Sequence, residues 1–135
     1  MIVVDASVWV SYLLPSDVNH EPSRRWLSAL LRAGEVIVAP VLLLAEVGGA
    51  VARQTNRPQL GQRAIDRLLN IPNLRLVSID HAAGIRAARL AADHRLRGAD
   101  ALYVATATTL NIPLVSWDRQ QLDRARGLVE AHAPE

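Results

Sequence analysis

Four carboxylates in this chain stand where a folded protein gains least from them. Asp5 ends the apolar run Ile2-Val3-Val4. Glu46 interrupts the otherwise apolar stretch from Val41 to Val51. Asp100 lies near the start of the segment Ala99 to Leu110, and Asp118 comes two residues after Leu114-Val115-Ser116. A lone ionised carboxylate held away from water is costly unless partnered, and the stretch around Glu46 offers no cation before Arg53. A shared divalent metal is the natural partner, and an all-carboxylate set suits Mg²⁺, with Mn²⁺ as the alternative. Each acid also has a reading on its own. Asp5 and Asp118 suit helix caps or turns, Asp100 complements a helix dipole, and Glu46 fits the wet edge of a helix. The four histidines, His20, His81, His94 and His132, show no ligand spacing, and cysteine is absent. Thiolate sites and disulfide frameworks are thereby excluded. Lysine is absent too, so a metal-free His/Lys acid–base mechanism is poorly supplied.

To meet, the four acids must be carried by separate elements. Ile2-Val3-Val4 does not alternate and reads as a strand buried on both faces, which puts Asp5 at its carboxyl end. Ser7 is a candidate N-cap for a helix over 8–14, closed by Pro15. A second helix is expected over 23–32, a strand over 36–39, and a helix from Pro40, suited to the first helical position, to Arg53. Further helices are expected over 58–69, 81–94 (capped by Asp80) and 99–110, and a short one from Asp118 to about 126. Strands are expected over 74–79 and 114–116, with an edge strand over 128–130 and a loose tail after His132. Strands alternating with helices point to an α/β fold: three α/β/α layers around a mostly parallel sheet of four or five strands. In such sheets ligands bind at the carboxyl ends of the strands, where Asp5 and Asp118 both fall.

The 135 residues suit a single domain spanning 1–135. No basic leader precedes the first apolar run, and no apolar stretch approaches the ~20 residues of a membrane span; a cytoplasmic location without membrane contact is expected. The net charge is +2. With four acids set aside for one site, the 15 arginines and 9 remaining acids leave a surplus of six positive charges elsewhere. An acidic pocket in a basic surface suits a polyanion that needs a cation at its reacting phosphate.

Four segments in order, Val3-Val4-Asp5-Ala6-Ser7, Leu44-Ala45-Glu46-Val47, Leu96-Arg97-Gly98-Ala99-Asp100 running on to Ala107, and Leu114-Val115-Ser116-Trp117-Asp118, make the chain recognisable. It resembles the PIN-domain family, most closely its stand-alone toxin ribonucleases called VapC. The resemblance implies a metal-dependent endoribonuclease that leaves 5′-phosphate and 3′-hydroxyl ends. It also implies a cognate antitoxin whose tail covers the acidic groove, and a homodimer. Asp5, Glu46, Asp100 and Asp118 would be the catalytic, metal-binding cluster, with Glu46 holding a water or a second ion. Ser7 and Ser116 match small hydroxyl positions that orient a carboxylate or a water. Ser116 departs from a common Thr, and Tyr103 and Thr106 stand where many members carry a further acid. One-metal and two-metal sites therefore both stay open.

Arg95, Arg97 and Arg119 flank the acids in sequence and are candidate phosphate contacts, or solvated basic surface. Trp117 is a candidate for stacking on an RNA base, or packs at the sheet edge. Three rival functions remain at this stage. One is a PIN nuclease of RNA processing or decay outside any toxin pair; the absence of an appended RNA-binding domain favours the toxin. Another is a receiver-like Mg²⁺-binding signalling module with Asp80 as phosphoacceptor, and a third is an inactive binding module.

Overall fold

The computed structural model describes residues 1–135. Five strands, β1 (Ile2–Val4), β2 (Ile37–Pro40), β3 (Leu74–Val77), β4 (Leu114–Val115) and β5 (Ala131–His132), form one sheet in the order β3-β2-β1-β4-β5. Every pairing is parallel. Seven helices connect them: α1 (Ala6–Leu13), α2 (His20–Arg32), α3 (Leu42–Thr55), α4 (Pro58–Leu69), α5 (His81–His94), α6 (Gly98–Leu110) and α7 (Arg119–Ala125). Right-handed connections send α1–α4 to one face of the sheet and α5–α7 to the other. No helix is long and apolar enough to cross a membrane.

The order has a functional consequence. The chain moves outward from β1 through β2 to β3, then crosses back to lay β4 on the other side of β1. The reversal falls between β1 and β4, and a crevice opens at such a switch point. A receiver module has the order 2-1-3-4-5, so this topology sets that rival aside. Asp80 instead caps α5, accepting the Ala83 N–H at 2.8 Å, beyond the edge strand β3.

The core lies where the apolar runs predict. Val3, Val4, Ile37, Ala39, Leu114 and Val115 are fully buried, with Trp9, Leu27, Leu43 and Val47 packed on one side and Tyr103 and Val104 on the other. α3 and α4 form a tight hairpin turned by Asn56, which takes the left-handed conformation. Gly61 allows the approach: a Cβ there would lie 2.5 Å from the Gly48 carbonyl oxygen.

Several expected boundaries move. Asp5, not Ser7, caps α1, because its carboxylate accepts the Ser7 N–H and the helix begins at Ala6. α2 starts at His20 because Pro22 falls in its first turn, where a missing N–H has no consequence. Pro40 ends β2 opposite Val77 rather than opening α3; the ladder continues through the Val41 N–H to the Val77 carbonyl, and the helix starts at Leu42. β3 alternates half-buried and exposed residues and stops at Val77, as an edge strand with one wet face does. The last strand lies at Ala131–His132, not 128–130: the Leu128 and Val129 amides turn back to the Ala125 carbonyl and delay the pairing. The tail is not loose, since Pro134 is buried and lies beside Trp26 and Ala29 of α2.

Candidate functional site

Asp5 is the fixed point of the crevice. It follows β1, and its backbone N–H bonds the Val115 carbonyl at 2.9 Å, locking it to β4. The side chain is 5% exposed. Its Oδ2 accepts the Ser7 N–H at 3.1 Å and the Ser116 hydroxyl at 3.0 Å. These bonds make burial of a carboxylate tolerable and leave Oδ1 free of protein partners.

Ser116 joins two acids. While its hydroxyl donates to Asp5, its oxygen accepts the Asp118 N–H at 3.0 Å. Ser7 Oγ lies 3.3 Å from Ser116 Oγ and accepts the Trp117 N–H at 3.0 Å. The two serines thus stitch the end of β1 to the segment after β4. Asp118 caps α7: its Oδ1 accepts the Gln120 and Gln121 amides at 3.0 and 3.2 Å.

Asp100 enters from the first turn of α6. The Arg97 guanidinium bridges it to Asp118, with Nη2 2.8 Å from Asp118 Oδ2 and Nε 3.3 Å from Asp100 Oδ2. Burial, then repulsion from Asp5 and Asp118, raises the Asp100 pKa, and Arg97 opposes the rise. Glu46, on α3, accepts a hydrogen bond from the Tyr103 hydroxyl of α6 at 2.7 Å. Burial raises its pKa above the ordinary value; Tyr103 opposes this, and Asp5 and Asp100 add to it. The structure therefore brings the four acids to one crevice, where Asp5 and Asp100 disfavour the charge of Glu46, and Asp5 and Asp118 that of Asp100.

The partner of Tyr103 was not legible in the sequence, which marked it only as standing where a further acid is common. The ring is fully buried, and its phenol is held well above the usual range, first by burial, then by the nearby Glu46 and Asp5 charges. A tyrosine in an apolar helix reads as core; only the tertiary fold reveals what its hydroxyl meets. Gln121 was equally hidden. It is buried between α7 and α6, with its side-chain N–H 3.4 Å from the Asp100 carbonyl.

The other candidates divide. Arg95 ends α5 in a left-handed conformation and Arg119 opens α7; both are exposed and neither pairs with an acid. Trp117 is half-buried, and its indole N–H donates to the buried Ser23 hydroxyl at 2.7 Å. That bond ties the ring to α2, in line with the packing alternative. Thr106 bonds back to the Leu102 carbonyl within its own helix and makes no hydrogen bond to the four acids.

The donor chemistry fits a hard divalent cation: carboxylates and serine hydroxyls, with no imidazole or thiolate among them. No three carboxylates close on a single point. Mg²⁺ does not require that, since it keeps several waters and takes one or two carboxylates directly.

The family model described as PIN domain matches residues 2–128. No curated protein matches the sequence. Among solved structures, the chain is similar to the sarcin–ricin-loop-cleaving toxin VapC20 of Mycobacterium tuberculosis, with a TM-score of 0.78 and 20% identity over 96% of this chain and 98% of that one. FitAcB of Neisseria gonorrhoeae gives 0.73 at 23% identity, over 99% and 98% of the two chains. A toxin–antitoxin complex from Klebsiella pneumoniae gives 0.70 at 16%, over 100% and 98%. At these identities the structural likenesses speak for the fold.

Proposed function

The chain belongs to the PIN-domain family, and on that premise we propose that it is a Mg²⁺- or Mn²⁺-dependent endoribonuclease, the toxin of a toxin–antitoxin pair. The observation that carries this reading is the gathering of four carboxylates, from the ends of β1 and β4, the second turn of α3 and the first turn of α6, into the crevice at the switch point of the sheet.

In this mechanism Asp5, Asp100 and Asp118 would hold the metal, directly or through its waters. A bound divalent ion supplies charge neutralisation at the scissile phosphate and a more acidic water. Ser116 keeps Asp5 and the Asp118 backbone in register, so two acids approach the phosphate as one rigid unit. Tyr103 fixes Glu46 through Oε1, leaving Oε2 to take the proton of the attacking water. A carboxylate whose pKa is raised is the better proton acceptor. Arg95 and Arg119, both exposed and free of acidic partners, would take flanking phosphates.

The solved toxin–antitoxin complex of the same fold supports an antitoxin partner. Exposed Val77, Ile79, Ile85 and Leu110 around the β3 edge support a homodimer, as apolar surface a second copy would cover. The test is cleavage of total RNA by the wild type and Asp100→Asn, with Mg²⁺ or EDTA, and mapping of product ends. Cleavage to 5′-phosphate ends by the wild type with Mg²⁺ alone is expected. Cleavage that persists in EDTA, or in the variant, overturns the mechanism; no cleavage of any RNA by the wild type overturns the activity.

A further inference from the structure

Arg97 is 71% exposed at the N-cap of α6, yet its guanidinium turns inward across the acidic crevice. It is the only basic side chain that contacts any of the four acids. What it holds matters more than its charge. Asp118 Oδ1 is committed to the amides at the start of α7. Its remaining oxygen, Oδ2, is the one Arg97 takes at 2.8 Å. Asp100 is bound less firmly, through one Nε contact at 3.3 Å, and its Oδ1 has no protein partner. A cation entering the crevice therefore finds an open oxygen on Asp5 and on Asp100, but must take Asp118 from Arg97.

We propose that Arg97 is the resident counter-ion of the crevice: it bridges Asp100 and Asp118 until a divalent cation displaces it, and the released guanidinium then faces the mouth of the site, where an RNA phosphate would lie. This rests on the metal-dependent reading above. Arg97 is a positioning residue that competes with the metal, and high exposure gives its side chain the room to leave. The same charge that quiets the repulsion among the acids in the metal-free protein raises the threshold for loading.

Calorimetric titration of the full chain with Mn²⁺ at ~0.15 M salt tests this. Arg97→Ala is expected to bind Mn²⁺ about two- to fivefold more tightly than the wild type, the upper part of the range for freeing an exposed ion pair. Arg97→Lys, which keeps the charge without the two-pronged reach, falls between them. Arg119→Ala, next to Asp118 but touching no acid, shifts affinity by less than about twofold, since an exposed charge that makes no ion pair contributes little. Metal-free Arg97→Ala also melts below the wild type, and saturating Mn²⁺ narrows the gap. Unchanged or weaker Mn²⁺ binding by Arg97→Ala, or an equal gain in Arg119→Ala, overturns the proposal while leaving the metal centre standing. Absence of Mn²⁺ binding in the wild type and in Arg97→Ala alike overturns both.

Discussion

Tyr103→Phe removes one oxygen from a fully buried ring and leaves the packing of α6 unchanged. The lost bond, 2.7 Å to Glu46 Oε1, is to a charged acceptor. Breaking such a bond costs about 1.5–3 kcal/mol when the acceptor is left dry. Glu46 is only half-buried, so water replaces part of the bond and the expected loss is about 1–2 kcal/mol at pH 7.5. For a chain of this length that lowers the melting temperature by about 4–8 °C, readable by circular dichroism in EDTA. The double-mutant cycle isolates the cause. With Glu46→Ala in place the Tyr103 hydroxyl has lost its acceptor, and Tyr103→Phe should then cost close to nothing. The penalty should also shrink on acidification, as Glu46 takes up a proton and the bond becomes a neutral one. An equal loss in both backgrounds would refute the pairing, because the hydroxyl would then act through something other than Glu46.

Metal-free Asp100→Asn should melt at or above the wild-type temperature while losing cleavage, since burial and two like charges disfavour its ionised form; a clear drop in melting temperature would make Asp100 a structural residue. Glu46 and Asp100 both have folded pKa values raised above the ordinary 4.5 and 3.8. The native state therefore holds those protons more tightly than the unfolded chain. Their contribution to stability is full below the ordinary values and is lost as pH rises through the raised ones. Melting in EDTA across that window should fall with rising pH, and Glu46→Gln with Asp100→Asn should flatten the slope. Gly61→Ala places a Cβ 2.5 Å from the Gly48 carbonyl, a backbone atom that cannot yield unless α3 and α4 part, and should cost about 1–3 kcal/mol by denaturant unfolding. Gly84→Ala in α5 meets nothing within 4 Å and should stabilise by about 0.4–1 kcal/mol.

Local chemistry decides much of this molecule. Short β-branched runs in β1, β2 and β4, each unbroken by polar residues, could only be buried strands, and the helices between them required a parallel sheet. The same runs placed Asp5 and Asp118 at carboxyl ends. Boundaries moved where a backbone group had a competing partner. Pro40 joined a strand because its neighbour's N–H could reach β3, and β5 slipped along the chain because the amides of Leu128 and Val129 turned back to α7.

What periodicity could not convey is which strands become neighbours and which side chains then face each other. The sequence by itself determined the α/β layering, the apolar core and the four carboxylates that do not belong in it, because those follow from residue type and local spacing. Only the tertiary structure decided that β4 lies against β1, so that Ser116, 111 residues away, donates to Asp5. The fold likewise set the Tyr103 hydroxyl on Glu46 and the Arg97 guanidinium between Asp100 and Asp118. The reason is physical: a side chain's partner across a crevice is fixed by strand order and helix approach, and neither is written in the residues beside it.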